Sequence, residues 1–162
     1  MVHKYPPRLK ILSEKEREEI ESKLNEQFGV KKIPGIIVQK GEEKLFLFQG
    51  SFDKNQINEL EQTIPVERVG IYFAKIVAGE NKIRLSIEGS QILKNQITKN
   101  IFELNESQLD DWMKGRELNI QTGKRDFLVM KYKDNFLGTG KASEEKISNF
   151  IPKNRRLKDK SI

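Results

Sequence analysis

The sequence contains no cysteine and a single histidine, His3. Without thiols, disulfides, thiolate nucleophiles, zinc ribbons and iron–sulfur ligation are all excluded. One histidine beside the first residues cannot supply a catalytic triad with an internal base, nor an HExxH metal site. No stretch approaches the roughly 18 uninterrupted apolar residues that span a bilayer, and the opening MVHKYPPRLK lacks the apolar core of a secretory signal. These absences lead to the expectation of a cytoplasmic protein with no membrane contact, no metal and no cofactor. Carboxylate or lysine chemistry stays open. Asp53 and Glu88 are the carboxylates that invite it, but no spacing makes them a pair; no catalytic residue is assigned and no enzyme is expected.

What is present is charge. Charged residues make up 33% of the chain and apolar ones 36%, with 30 Lys plus Arg against 24 Asp plus Glu for a net charge of +6. The apolar residues are spread throughout, as a folded chain requires, and 162 residues suffice for one domain or two. A positive balance favours polyanionic partners. Its distribution says more than its total, because Lys146, Lys153, Arg155, Arg156, Lys158 and Lys160 face only Asp159 from Lys146 onward.

Ser13 and Glu16 have the spacing of a capping box, Ile20, Leu24 and Phe28 recur at helical spacing, and Gly29 stands where a left-handed cap belongs; a helix is predicted over 13–28. Ile36–Val38 and Leu45–Phe48 are β-prone runs joined by a turn at Lys40-Gly41-Glu42. Asp53 with Gln56 caps a second short helix carrying Ile57, Leu60 and Ile64. Val69–Val77 is a strand, and Ile83, Leu85 and Ile87 alternate with Lys82, Arg84, Ser86 and Glu88 as a half-buried strand does. The first hundred residues therefore read as an α+β unit with an antiparallel sheet. Asn95–Asn100 is a polar junction. Beyond it come a strand at Ile101–Leu104, a helix starting at Asn105–Gln108 with Leu109, Trp112 and Met113 inward and Gly115 after its end, paired strands Phe127–Tyr132 and Phe136–Ala142, and a last strand at Ile147–Ile151. Two glycines in a strand, Gly138 and Gly140, point to close backbone approach rather than to a phosphate loop. Trp112, Phe136 and Phe150 are expected to be buried.

The run from Phe102 to Lys158 resembles a PUA domain, an RNA-binding module. The resemblance rests on the helix leading into Trp112-Met113-Lys114-Gly115-Arg116-Glu117-Leu118, and on Phe127–Met130 paired with Phe136-Leu137-Gly138-Thr139-Gly140-Lys141-Ala142. The segment Asn119–Gly123 departs from the family pattern. Gly70–Lys75 followed by Ile83–Ile87 resembles the two-domain pre-ribosome assembly factors of the Nip family, whereas Ile147–Arg156 resembles the PUA-like tail of Nop/Sun-type RNA cytosine methyltransferases. The fold implied is an N-terminal α+β domain over 1–97 and a C-terminal PUA-like mixed β-barrel over 98–162. The function implied is RNA binding in ribosome biogenesis or rRNA/tRNA maturation, with rRNA or tRNA as partner and an assembly or RNA-modification protein beside it.

The residues expected to contact RNA are Lys114, Arg116, Lys141, Lys153, Arg155, Arg156 and Lys158. For Lys114 and Arg116 a structural role at the helix end weighs almost as much. The competing functional reading is an RNA-modifying enzyme or a detached accessory subunit of an RNA methyltransferase. A third is a protein-interaction module whose charge serves solubility.

Overall fold

The computed structural model describes residues 9–50, 53–63 and 70–159. The order of elements is β1 (Leu9–Ile11), α1 (Glu14–Phe28), β2 (Ile36–Lys40), β3 (Lys44–Phe48), α2 (Lys54–Thr63), β4 (Ile71–Val77), β5 (Lys82–Leu85), α3 (Ile87–Ile92), β6 (Ile101–Glu103), α4 (Glu106–Met113), β7 (Phe127–Tyr132), β8 (Asn135–Ala142) and β9 (Ile147–Ser148), followed by a 3-10 turn at Lys153–Arg155. The fold is α+β. The first five strands form an antiparallel sheet in sequential order, and the last four form a second sheet, curled into a half-barrel, in which β6 runs parallel to β7 and the remaining pairs are antiparallel.

The capping box closes α1: the Ser13 hydroxyl accepts from the Glu16 amide at 3.2 Å, and the Glu16 carboxylate accepts from the Ser13 amide at 3.1 Å. Gly29 ends the helix in the left-handed conformation. The apolar stripe Ile20, Leu24 and Phe28 packs on Ile37, Leu45, Leu47, Phe73, Ile83 and Leu85, which alternate along their strands onto one face of the first sheet. Phe127, Val129 and Phe136 from the second sheet join that cluster, so the largest core is shared by both sheets. A second cluster, centred on Trp112, Leu128, Met130 and Ile147, is built from α4, the C-terminal sheet and the loops around them, with Ile87 of α3 packed against it.

The polar segment before β6 is bonded into the end of α1. The Gln96 side chain accepts from the Lys31 and Lys32 amides and donates to the Lys32 carbonyl, Thr98 N donates to Phe28 O, and Asn100 Nδ2 donates to Gln27 O. Gln27 is itself buried and makes both bonds to the Ile83 backbone, at 2.7 and 2.8 Å.

Two elements differ from the pattern read along the chain. Strand β5 stops at Leu85, and Ile87 opens α3 instead of continuing the alternation. The cause is Ser86, whose hydroxyl accepts from the Gly89 amide as an N-cap and donates to backbone oxygens of Tyr72 and Phe73. The last strand covers only Ile147 and Ser148. Asn149 ends it by donating to the carbonyls of Trp112 and Arg116 and accepting from the Ile151 amide, which redirects the chain into Pro152. Of the second helix's predicted residues, Ile57 is buried, while Leu60's side chain, Ile64 and Val69 lie outside the described residues.

Candidate nucleic-acid interface

The site is built on α4. Asn105 and Gln108 form its capping box, and Trp112 fixes its far end: the ring is fully buried and its Nε1–H donates to Leu137 O at 2.9 Å. Gly140 accommodates that ring, since a Cβ there would fall 2.8 Å from Trp112 Cη2 and 2.7 Å from Ile147 Cγ2. Of the two strand glycines, Gly140 makes the close approach expected, while Gly138 holds a left-handed backbone at φ 81° with ordinary contacts. Gly115, at φ 83°, turns the chain after α4, and the Arg156 side chain occupies the space where a Cβ would stand. Leu157 N donates to Met113 O at 2.8 Å, so the C-terminal tail is laid across the end of α4.

This packing gathers Lys114, Arg116, Lys153, Arg156 and Lys158 around one helix end. Their charges are not equally available. Lys114 pairs with Asp110 at 2.8 Å and Asp159 at 2.7 Å; Arg116 pairs with Asp111 at 2.9 Å and Asp159 at 3.0 Å. Donation to Asp110 and Asp159 raises the Lys114 pKa above its ordinary value, donation to Asp111 does the same for Arg116, and accepting from Lys114 lowers Asp159. Arg156 donates through Nε to Ile151 O at 2.9 Å and, among the described residues, has no acidic partner. Neither do Lys153 and Lys158 among the described residues.

The other two predicted cations lie elsewhere. Lys141 projects toward the β4–β5 turn, where it pairs with Glu80 and sits 5.3 Å from the Phe127 ring centroid. Arg155 turns toward the first sheet and pairs with Glu88. Glu88 Oε1 is buried and, among the described residues, has no hydrogen-bond donor, and the Arg155 guanidinium is the charged group paired with it.

Arg155 stands at the mouth of a cleft of about 270 Å³ between the two sheets, lined among others by Lys44, Tyr72, Arg84, Glu88 and Phe150. The Arg84 guanidinium lies 4.0 Å from the Phe150 ring centroid, a cation–π contact. Phe150 is thus half-buried between Arg84 and Phe127, whereas Trp112 and Phe136 are buried as expected. Burial pushes the Tyr72 phenol up, against the opposing pull of Arg84. Lys44, Tyr72 and Arg84 were not visible as site residues along the chain. Arg84 read as the solvated side of an alternating strand, and the register that brings it to Phe150 has no linear signature. Among the described residues, no group of three acidic or histidine side chains is placed to hold a metal ion.

Residues 99–157 match the family model described as the Methyltransferase RsmF PUA domain. The chain carries a PUA domain. It is related to the PUA tails of Sun-type methyltransferases, the relationship that Ile147–Arg156 resembled. The match spans β6 to the tail, taking in α4, Gly115, both strand glycines and six of the seven predicted cations. No curated protein matches the chain. A PUA domain implies RNA binding.

Proposed function

We infer that this chain is a non-catalytic RNA-binding factor acting in the cytoplasm in ribosome biogenesis or in rRNA or tRNA maturation. The observation that carries the reading is the coincidence of the PUA match with the cations gathered at the end of α4. Lys153, Arg156 and Lys158 offer unpaired charge to phosphates, while Lys114, Arg116, Lys141 and Arg155 must exchange a carboxylate for a phosphate. The exposed pairs, those of Arg116 and Lys141, are worth only ~0–1 kcal/mol, so a polyanion displaces them readily, whereas Glu88 Oε1 is buried and needs a replacement partner when Arg155 leaves. Affinity then comes from the backbone, and selectivity from RNA shape more than base sequence. The division into 1–97 and 98–162 assigns the PUA unit to RNA and gives the N-terminal unit a protein or a further RNA segment to hold.

The methyltransferase kinship of the PUA domain supports a second reading, an RNA-modifying enzyme or a detached accessory subunit of an RNA methyltransferase. Crosslinking to cellular RNA and sequencing the bound fragments tests the first: enrichment of rRNA or tRNA is expected, and recovery of no RNA above a mock control contradicts it. Adding S-adenosylmethionine and assaying methyl transfer separates the two. Transfer by the chain alone, or its stimulation of a separate methyltransferase, favours the second.

A further inference from the structure

The first sheet carries a row of like charges that its own stability does not call for. Strand register places Lys40 opposite Lys44, Lys44 opposite Lys75, and Lys75 opposite Arg84, so four cations stand on neighbouring strands β2, β3, β4 and β5. All four point to the same side. Their chain neighbours Leu45, Ala74, Ile83 and Leu85 point into the shared core, and side chains alternate along a strand. Adjacent strands are roughly 4.8 Å apart, and like charges directly opposite one another destabilise a sheet. Glu43 relieves only Lys75, at 3.3 Å; Lys40, Lys44 and Arg84 have no carboxylate partner among the described residues. The row does not end in solvent. Lys44 and Arg84 line the cleft, Arg84 stacks on Phe150, and Arg155 stands across from it.

We propose that this face of the N-terminal sheet is a second RNA contact, a track on which Lys40, Lys44, Lys75 and Arg84 hold the phosphates of a single-stranded segment and lead it into the cleft beside Phe150. The proposal rests on the RNA-binding reading and answers which partner the N-terminal unit holds. A single strand fits better than a duplex, because the cleft of about 270 Å³ admits a nucleotide and not a helix. In the cleft, Arg155 leaves Glu88 for a phosphate. The released Glu88 carboxylate then accepts from an exocyclic amine of the base, the interaction it makes with cytosine in other readouts. A ligand carrying both an anion and an N–H donor satisfies Arg155 and Glu88 together, which neither group alone can do.

Two RNAs test this on the full chain: a blunt hairpin, and the same hairpin with a single-stranded cytidine-rich extension. The extension is expected to tighten binding to wild type. In the Lys40→Gln/Lys44→Gln/Lys75→Gln variant that gain disappears and blunt-hairpin affinity holds. The slope of log affinity against log salt for the extended RNA becomes shallower by about 2, at roughly 0.7 per single-strand contact. The RNA-free variant melts at or above the wild-type temperature, since it loses repulsion. A measurement on wild type alone avoids any dependence on folding of the variant: acetylation of Lys40, Lys44 and Lys75, read by mass spectrometry, slows with the extended RNA and not with the blunt one. Equal acetylation rates with the two RNAs, or an extension gain that survives in the variant, overturns the proposal, and an acidic protein becomes the partner whose chemistry the row fits. Failure of wild type to bind either RNA overturns the RNA-binding reading itself, whereas binding of the blunt hairpin with no gain from the extension overturns only the track.

Discussion

The two basic regions of the molecule differ in a way that their sequences invert. The C-terminal region looks the more basic along the chain, yet Lys114, Arg116, Lys141 and Arg155 each meet a carboxylate. In the N-terminal sheet the cations are scattered singly among acidic residues, yet folding lines up Lys40, Lys44, Lys75 and Arg84 with one carboxylate among them. Charge counted along a chain is therefore a poor guide to charge available at a surface. Clustered cations recruit counter-ions when the chain folds, most of them from distant positions, as Lys141 does with Glu80 and Arg155 with Glu88, while strand register can line up cations with few acids between them.

The largest expected effects concern whether the two regions are separable at all. Phe127 belongs to the C-terminal sheet and packs in the core beneath the N-terminal one. Phe127→Ala should cost about 3–5 kcal/mol and lower the urea midpoint of both sheets together, read by Trp112 fluorescence for one and by amide exchange in β4 for the other. A midpoint that drops for the C-terminal sheet alone would make the comparison one between independent domains. Gln27→Leu comes next. It leaves the Ile83 N–H and C=O without partners, at about 1–3 kcal/mol for each group, and the loss should appear first as faster exchange in β5. Gln96→Ala removes three bonds between the junction and α1, so limited proteolysis, slow in wild type, should accelerate within 95–100.

Smaller effects sharpen the electrostatic half of the comparison. Asp159 holds both Lys114 and Arg116, and Asp159→Asn removes one of the two carboxylates on each, leaving Asp110 and Asp111, so it should tighten RNA binding by at most a few-fold, the scale of an exposed pair at ~0.2–1 kcal/mol. The smallest is a pH effect at Glu16, whose pKa is lowered from 4.5 to about 2, chiefly by its hydrogen bond to Lys10. A depressed carboxylate contributes its stability in full above pH 4.5 and loses it as pH falls toward 2. Glu16→Gln keeps the reciprocal cap and should flatten the acid limb of a melting-temperature profile in that window.

Much of the fold was legible because its signals are local. The capping boxes at Ser13 and Asn105, the apolar stripe of α1, the glycine after α4 and the paired strands β7 and β8 each depend on residues within a few positions of one another. Errors arose where a distant partner decided the outcome. Ser86 ends β5 because the carbonyls of Tyr72 and Phe73 take its hydroxyl proton, and Asn149 ends β9 because the turn after α4 presents carbonyls to it. The same holds for the site: the tail cations stood out as a run, but the cleft of Lys44, Tyr72 and Arg84 exists only once strands are in register.

The tail cations are the proposed RNA grip of the PUA domain. The direct measurement is RNA affinity titrated against salt for wild type and for the Lys153→Gln/Arg156→Gln/Lys158→Gln variant, with thermal melting of both as the control for folding. Each lost phosphate contact should make the log–log slope shallower by roughly 0.7–0.9, about 2 to 3 in all, with similar losses for RNAs of different sequence and a melting temperature lowered only by the loss of the Arg156 bond to Ile151 O. An unchanged slope in a variant that still melts cooperatively would show that these residues hold no phosphate and would contradict that role.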